Sequence, residues 1–119
     1  MPHPDVQLLK PLTRANHSPM LAHNVYFTLK DRSQEKIDRL VNACNTYLTD
    51  HPGTRFFFAG TLEKDLRRPV NDLEFDIALV IVFEDRAAHD IYQNAPRHNE
   101  FIALEKDNWD KVRVFDAIC

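Results

Sequence analysis

The chain has 119 residues, 44% of them hydrophobic, and a formal net charge of −3. That length suits one domain with its own core and is too short for two, and the charge argues against a nucleic-acid surface. No apolar run approaches the roughly 20 residues that span a bilayer, and two cysteines, Cys44 and Cys119, make no disulfide framework.

The opening MPHPDVQLLK has no basic region followed by an apolar one, so no secretory signal is read, and a reducing cytoplasm is the expected location. Residues 1–21 hold four of the seven prolines and little apolar periodicity. They are expected to form an N-terminal extension, with the domain proper over residues 22–119.

AHNVYFTLK is the first strand, because His23, Val25, Phe27 and Leu29 alternate with Asn24, Tyr26 and Thr28. RSQEKIDRLVNACNTYLTDHPG changes period. Ile37, Leu40, Val41, Cys44 and Leu48 follow the spacing of an amphipathic helix, with Ser33 as its N-cap and Pro52-Gly53 as its stop. His51 falls at the C-terminal end of this helix, where a cation is favoured, and is read as helix-end chemistry.

TRFFFAGTL is the second strand, in which alternation sends Phe57 opposite to Phe56 and Phe58, as core and dimer contacts. Residues 63–74 form a charged loop containing the basic pair Arg67-Arg68. FDIALVIVF is the third strand. It is apolar on both faces: Phe75, Ile77, Leu79, Ile81 and Phe83 line one, and Ala78, Val80 and Val82 the other. Such a strand must be covered on both faces. EDRAAHDIYQN reads as a short helix, PRHNEFIALEKDNW as a second helix after a break, and KVRVFDAI as the closing strand.

The order is β-α-β-β-α-β, the ferredoxin-like split pattern. The expected fold class is α+β, a four-stranded antiparallel sheet with its helices on one face. The other face is then uncovered within one chain. A second copy packing sheet to sheet would bury it, so a homodimer is expected, as a dimeric α+β barrel.

The stretch IYQNAPRHNEF raises a chemical question. Tyr92 and His98 lie six residues apart, about 600° of rotation on an unbroken helix, so they would point to different sides. Pro96 breaks the helix and pushes Ala95 out of helical conformation, which can turn both toward one pocket. Near a helix start, and buried, His98 would be neutral. A neutral imidazole can take a proton next to a carbonyl, while Tyr92 hydrogen-bonds the enolate oxygen that forms. Alternatively the two side chains tie the half-helices together. His89-Asp90 is read as solvated. No spacing resembles a zinc site, and the two glycines make no phosphate loop, so neither metal nor cofactor is expected.

HNVYFTLK, PGTRFFFAG, FDIALVIVFED, IYQNAPRHNEF and VRVFDA together resemble the stress-responsive A/B barrel, or Dabb, family of dimeric α+β barrels, over about Ala22 to Ala117. That family includes stress-induced plant proteins and polyketide cyclases that need no cofactor. In the cyclases a tyrosine and a histidine matching Tyr92 and His98 assist an aldol-type ring closure, and a histidine matching His23 lines the same cavity. Ala95 departs from the family, which often has a histidine there. The resemblance implies an apolar cavity walled by Val25, Phe27, Ile77, Leu79, Phe101, Trp109 and Val114, holding a small apolar or aromatic molecule. The expected function is a stress-associated binding module. The alternative is a cofactor-independent enzyme, cyclase-like or monooxygenase-like, using the Tyr92–His98 pair.

Overall fold

The computed structural model of the chain describes residues 19–119. Residues 1–18 of the expected N-terminal extension lie outside the described residues. Four strands and three helices follow in chain order: β1 (Leu21–Leu29), α1 (Gln34–Tyr47), β2 (Thr54–Thr61), β3 (Ile77–Phe83), α2 (Arg86–Asn94), α3 (Pro96–Glu105) and β4 (Trp109–Ile118). A single 3₁₀ turn, Lys106–Asn108, joins α3 to β4.

Local chemistry sets these boundaries. The Ser33 hydroxyl accepts the Lys36 N–H and starts α1, and the Asp85 carboxylate accepts the Ala88 N–H at 2.8 Å and starts α2. Pro96 stands in the first turn of α3, where its missing N–H costs nothing. Ala95, before it, is extended at φ −70°, ψ 144°, and this one residue separates α2 from α3. Between α1 and β2, Gly53 takes φ 84°. A Cβ at Gly53 would run into that of Ala88, and the Gly53 carbonyl accepts the Glu84 N–H at 2.8 Å. Glycine is needed there twice over, for the turn and for the close approach of α2.

The sheet order is β2-β3-β1-β4 with every neighbour antiparallel, the ferredoxin-like arrangement. The helices cover one face. Leu21, Val25, Phe27 and Leu29 of β1, and Ile77, Leu79, Ile81 and Phe83 of β3, are buried beneath Leu40, Cys44 and Leu48 from the α1 side and Ala88, Tyr92 and Phe101 from α2 and α3. Burial pushes the Cys44 thiol up to about 12, so it packs as a hydrophobe.

The other face carries Tyr26 of β1, Ala78, Val80 and Val82 of β3, and Phe56 and Phe58 of β2. The register sets Phe56 opposite Val82 and Phe58 opposite Val80. Phe56, Phe58 and Phe115 remain about half exposed. Phe57 turns to the helix side and packs on the core.

One expectation for β3 is corrected. The strand begins at Ile77, and Phe75 does not join the helix-side row. Its ring instead meets Tyr26 on the open face, centroids 5.0 Å apart. The reason is Asp76, which is buried. Its carboxylate accepts the Leu29 N–H at 2.9 Å and the Arg32 guanidinium at 3.0 Å. Anchoring that acid inward ends the alternation one residue before the strand.

Candidate functional site

β4 is an edge strand that the helices do not cover, so its helix-side residues Val112 and Val114 stay partly open, at 39% and 50% exposure. Between this half of the sheet and α2 and α3 lies a cavity of about 140 Å³. Val25, Phe27, Leu79, Phe101, Trp109 and Val114 form its apolar wall, and His23, Tyr92 and His98 also line it. Ile77, expected in that wall, is not there. It is fully buried in the core. Leu48, Gln93, Ile102 and Val112 complete the lining.

The break at Ala95 brings Tyr92 and His98 side by side, with ring centroids 4.8 Å apart and an edge-to-face angle of 68°. The half-helices are joined through backbone, Ala95 N–H to Tyr92 C=O at 3.1 Å and Asn99 N–H to Ala95 C=O at 3.0 Å. The buried Nδ1 of His98 has no hydrogen-bond partner among the described residues.

Tyr92 is nearly fully buried and sits among imidazoles. His51 meets it perpendicularly at 4.9 Å, and His23 edge-on at 6.0 Å. His51 also donates from Nε2 to the Tyr47 carbonyl at 2.8 Å, closing the end of α1. Burial raises the Tyr92 phenol well above its ordinary range, so the hydroxyl stays a donor. Burial, then the neighbouring His23 and His51, lowers His98 below 6.5, so its imidazole is neutral at physiological pH.

His23 stands at the end of the cavity facing the rim of the sheet. The β1–β4 register sets Asp116 directly opposite, and the His23 Nδ1–H donates to Asp116 Oδ1 at 2.6 Å. The Nε2 of His23 lies 3.5 Å from the Gln93 amide. Burial lowers the His23 pKa more than the Asp116 carboxylate raises it.

His89, expected to be solvated, is turned inward. Its side chain is 14% exposed, and its ring centroid is 5.2 Å from that of His23. His89 precedes Tyr92 by three residues and so shares its helix face, a signal the spacing already contained. Asp116 carried no such signal, because its role depends on a strand pairing 93 residues apart. A larger hollow of about 580 Å³ lies on the open sheet face, lined by Asn24, Tyr26, Asp72, Phe75, Arg113 and Phe115. It is open and lies on the opposite face of the sheet from His23, so the smaller cavity is the one with the histidines around it.

The sequence profile of the Stress responsive A/B Barrel Domain matches residues 21–119. No curated protein matches the sequence. Among solved structures, a Dabb family protein with a ferredoxin-like fold from Mesorhizobium loti superposes with a TM-score of 0.72 at 23% identity, covering 86% of this chain and 98% of its own. A dimeric ferredoxin-like protein from Thermobifida fusca gives 0.71 at 14% identity, covering 86% and 92%. The hydroxynitrile lyase of Passiflora edulis gives 0.67 at 23% identity, covering 84% and 93%. At such identities the likeness is one of fold. Among the described residues no helix is long and apolar enough to cross a membrane.

Proposed function

This chain belongs to the stress responsive A/B barrel family, and from that premise we propose that it is a homodimer whose cavity binds a small apolar or aromatic molecule bearing a carbonyl or hydroxyl. The observation that carries the reading is the Tyr92–His98 contact, ring centroids 4.8 Å apart, on the edge of a mostly apolar cavity. The apolar wall supplies affinity, and the few polar groups fix orientation. A cavity of about 140 Å³ is of the size that accepts a single aromatic ring. The family name supports an association with stress, and the free thiols Cys44 and Cys119 support a reducing compartment such as the cytoplasm.

The open sheet face supports the dimer. Phe56 and Phe58 beside Val82 and Val80, and Phe115 on Tyr26, put apolar side chains on this face, the kind of surface that a second copy would cover. The Thermobifida fusca neighbour is described as dimeric.

A second reading is favoured by the protonation states. A neutral His98 beside a protonated Tyr92 is the pairing for cofactor-independent carbon-acid chemistry. His98 would take the proton next to a carbonyl, and the Tyr92 hydroxyl would hydrogen-bond the developing oxyanion. His23, held by Asp116, would orient the bound molecule. The Passiflora edulis neighbour is an enzyme by name; fold likeness alone does not transfer its reaction.

Trp109 provides the test, since it is the single tryptophan and lines the cavity. Titration with small aromatic ketones, followed by Trp109 fluorescence, should give a saturable change in the wild type. Loss of saturation in Val25→Phe, which fills the cavity, would place the ligand there. No saturable response across ketones, phenols and aldehydes would refute the binding role.

A further inference from the structure

We propose that His23, His89 and Asp116 form a binding site for one divalent transition-metal ion of the zinc class, with a water completing its coordination. Each of the three side chains offers one ligand atom, and these atoms all lie within 4.8 Å of one another. They come from three elements: β1, its antiparallel partner β4, and α2 above them. Zinc bonds of about 2.0–2.2 Å in tetrahedral geometry place donor atoms roughly 3.4 Å apart. The widest-spaced donors, up to 4.8 Å apart, would therefore close by about 1.4 Å, while His23 Nδ1 and Asp116 Oδ1, now in hydrogen-bond contact at 2.6 Å, would open by just under 1 Å. Asp116 is 43% exposed and can swing, while buried His23 is fixed on β1.

The surroundings suit an ion as well as the donors do. His89 Nδ1 lies 3.0 Å from Asp90 Oδ1, so Asp90 can hold one ring nitrogen and leave the other free for a metal. His23 is flanked on both nitrogens, by Asp116 at Nδ1 and Gln93 at Nε2. With Nδ1 of His23 on the ion beside Asp116, Nε2 keeps the Gln93 side-chain amide to fix the ring. Carboxylate or amide partners behind ligating histidines are the usual supporting arrangement. Two imidazoles and one carboxylate select Zn²⁺, Co²⁺ or Ni²⁺ over Mg²⁺ and Ca²⁺, which take oxygen donors. Three protein ligands leave a fourth position for water. The ion would stand at the His23 end of the cavity, where it can meet a polar group of whatever the cavity holds.

The site does not depend on the Tyr92–His98 reading, and its test reads metal binding alone. The full chain, made without a histidine tag and stripped with a chelator, is titrated with ZnCl₂ by calorimetry. One ion per chain should bind with a dissociation constant of about a micromolar or below, and MgCl₂ should give no heat. His89→Ala and Asp116→Asn, both at partly open positions, should each weaken zinc binding by at least about tenfold. The His3→Ala/His17→Ala variant, which removes the other histidines near the chain start, should bind as the wild type does. Absence of saturable zinc binding would overturn the proposal, as would binding unchanged in His89→Ala and Asp116→Asn. Co²⁺ adds a second readout. Tetrahedral coordination should give strong visible absorption that disappears in His89→Ala, and its absence at saturation would contradict the geometry.

Discussion

Tyr92 and His98 face each other at 4.8 Å across a single extended residue, Ala95, that divides what would otherwise be one helix. On a continuous helix, residues six apart point to different sides. Pro96 is therefore the residue that assembles the pair. Replacing it with alanine should let α2 and α3 merge and swing His98 away from Tyr92. Ligand titration of Pro96→Ala should show weaker binding, with the cooperative melt retained. Unchanged binding would mean that the break is not what positions the pair.

The next prediction concerns the hydroxyl. Tyr92→Phe keeps the buried ring and removes only the donor. Ligand affinity should fall by roughly tenfold, the worth of about one hydrogen bond to a neutral acceptor. If the second reading holds, turnover of a true substrate should fall by about 10²-fold, as for one oxyanion donor. Thermal unfolding should change little. A large loss of stability with unchanged binding would assign Tyr92 to the core alone.

Acid should destabilise the fold through His98 and His23. Both are held below the ordinary value of 6.5 by burial, so the unfolded chain binds protons more readily than the folded one. The stability they contribute is complete above pH 6.5 and is lost as pH falls through the lowered folded values. Urea midpoints should therefore be lower at pH 5.5 than at pH 7.5, and His98→Asn should reduce the difference. Equal midpoints in the wild type would contradict the burial argument.

The open sheet face predicts an assembly. Val80 faces outward between Phe58 and Asn24, its register partners. Val80→Lys should split the dimer or leave a soluble monomer in sedimentation, without unfolding the chain. Leu79 faces the helices at 2% exposure, and a charge there should instead unfold the protein. A wild-type monomer at micromolar concentration would end the dimer reading.

Much of this was legible in the sequence, for identifiable reasons. The alternation of β1 and the i, i+3, i+4 stripe of α1 each have one buried face, so period alone fixed their type and orientation. The break at Pro96 was legible because proline acts locally. Asp76 was not legible. An acid inside an apolar run looks outward-facing until its partners, the Leu29 N–H and Arg32, are known. The two extra residues of the expected strand, Phe75 and Asp76, follow from that. His89, next to an aspartate, looks solvated in the sequence, although its spacing from Tyr92 points inward. Asp116 became visible only with the β1–β4 register.

Asp76 itself can be tested. Asp76→Ala removes the acceptor for the buried Leu29 N–H and for Arg32, which is itself half exposed. Stability should drop by about 2 kcal/mol, measured by denaturant unfolding. A neutral result would mean water replaces the carboxylate without cost.

The most direct measurement of the central claim is a nuclear magnetic resonance titration of the ¹⁵N-labelled chain with a small aromatic ketone. Ligand in the cavity should move the His98 ring nitrogens and the Trp109 indole N–H together, with one saturation curve. Shifts confined to Asn24 and Arg113, on the open sheet face, or no shifts at all, would contradict a ligand site shared by Tyr92 and His98.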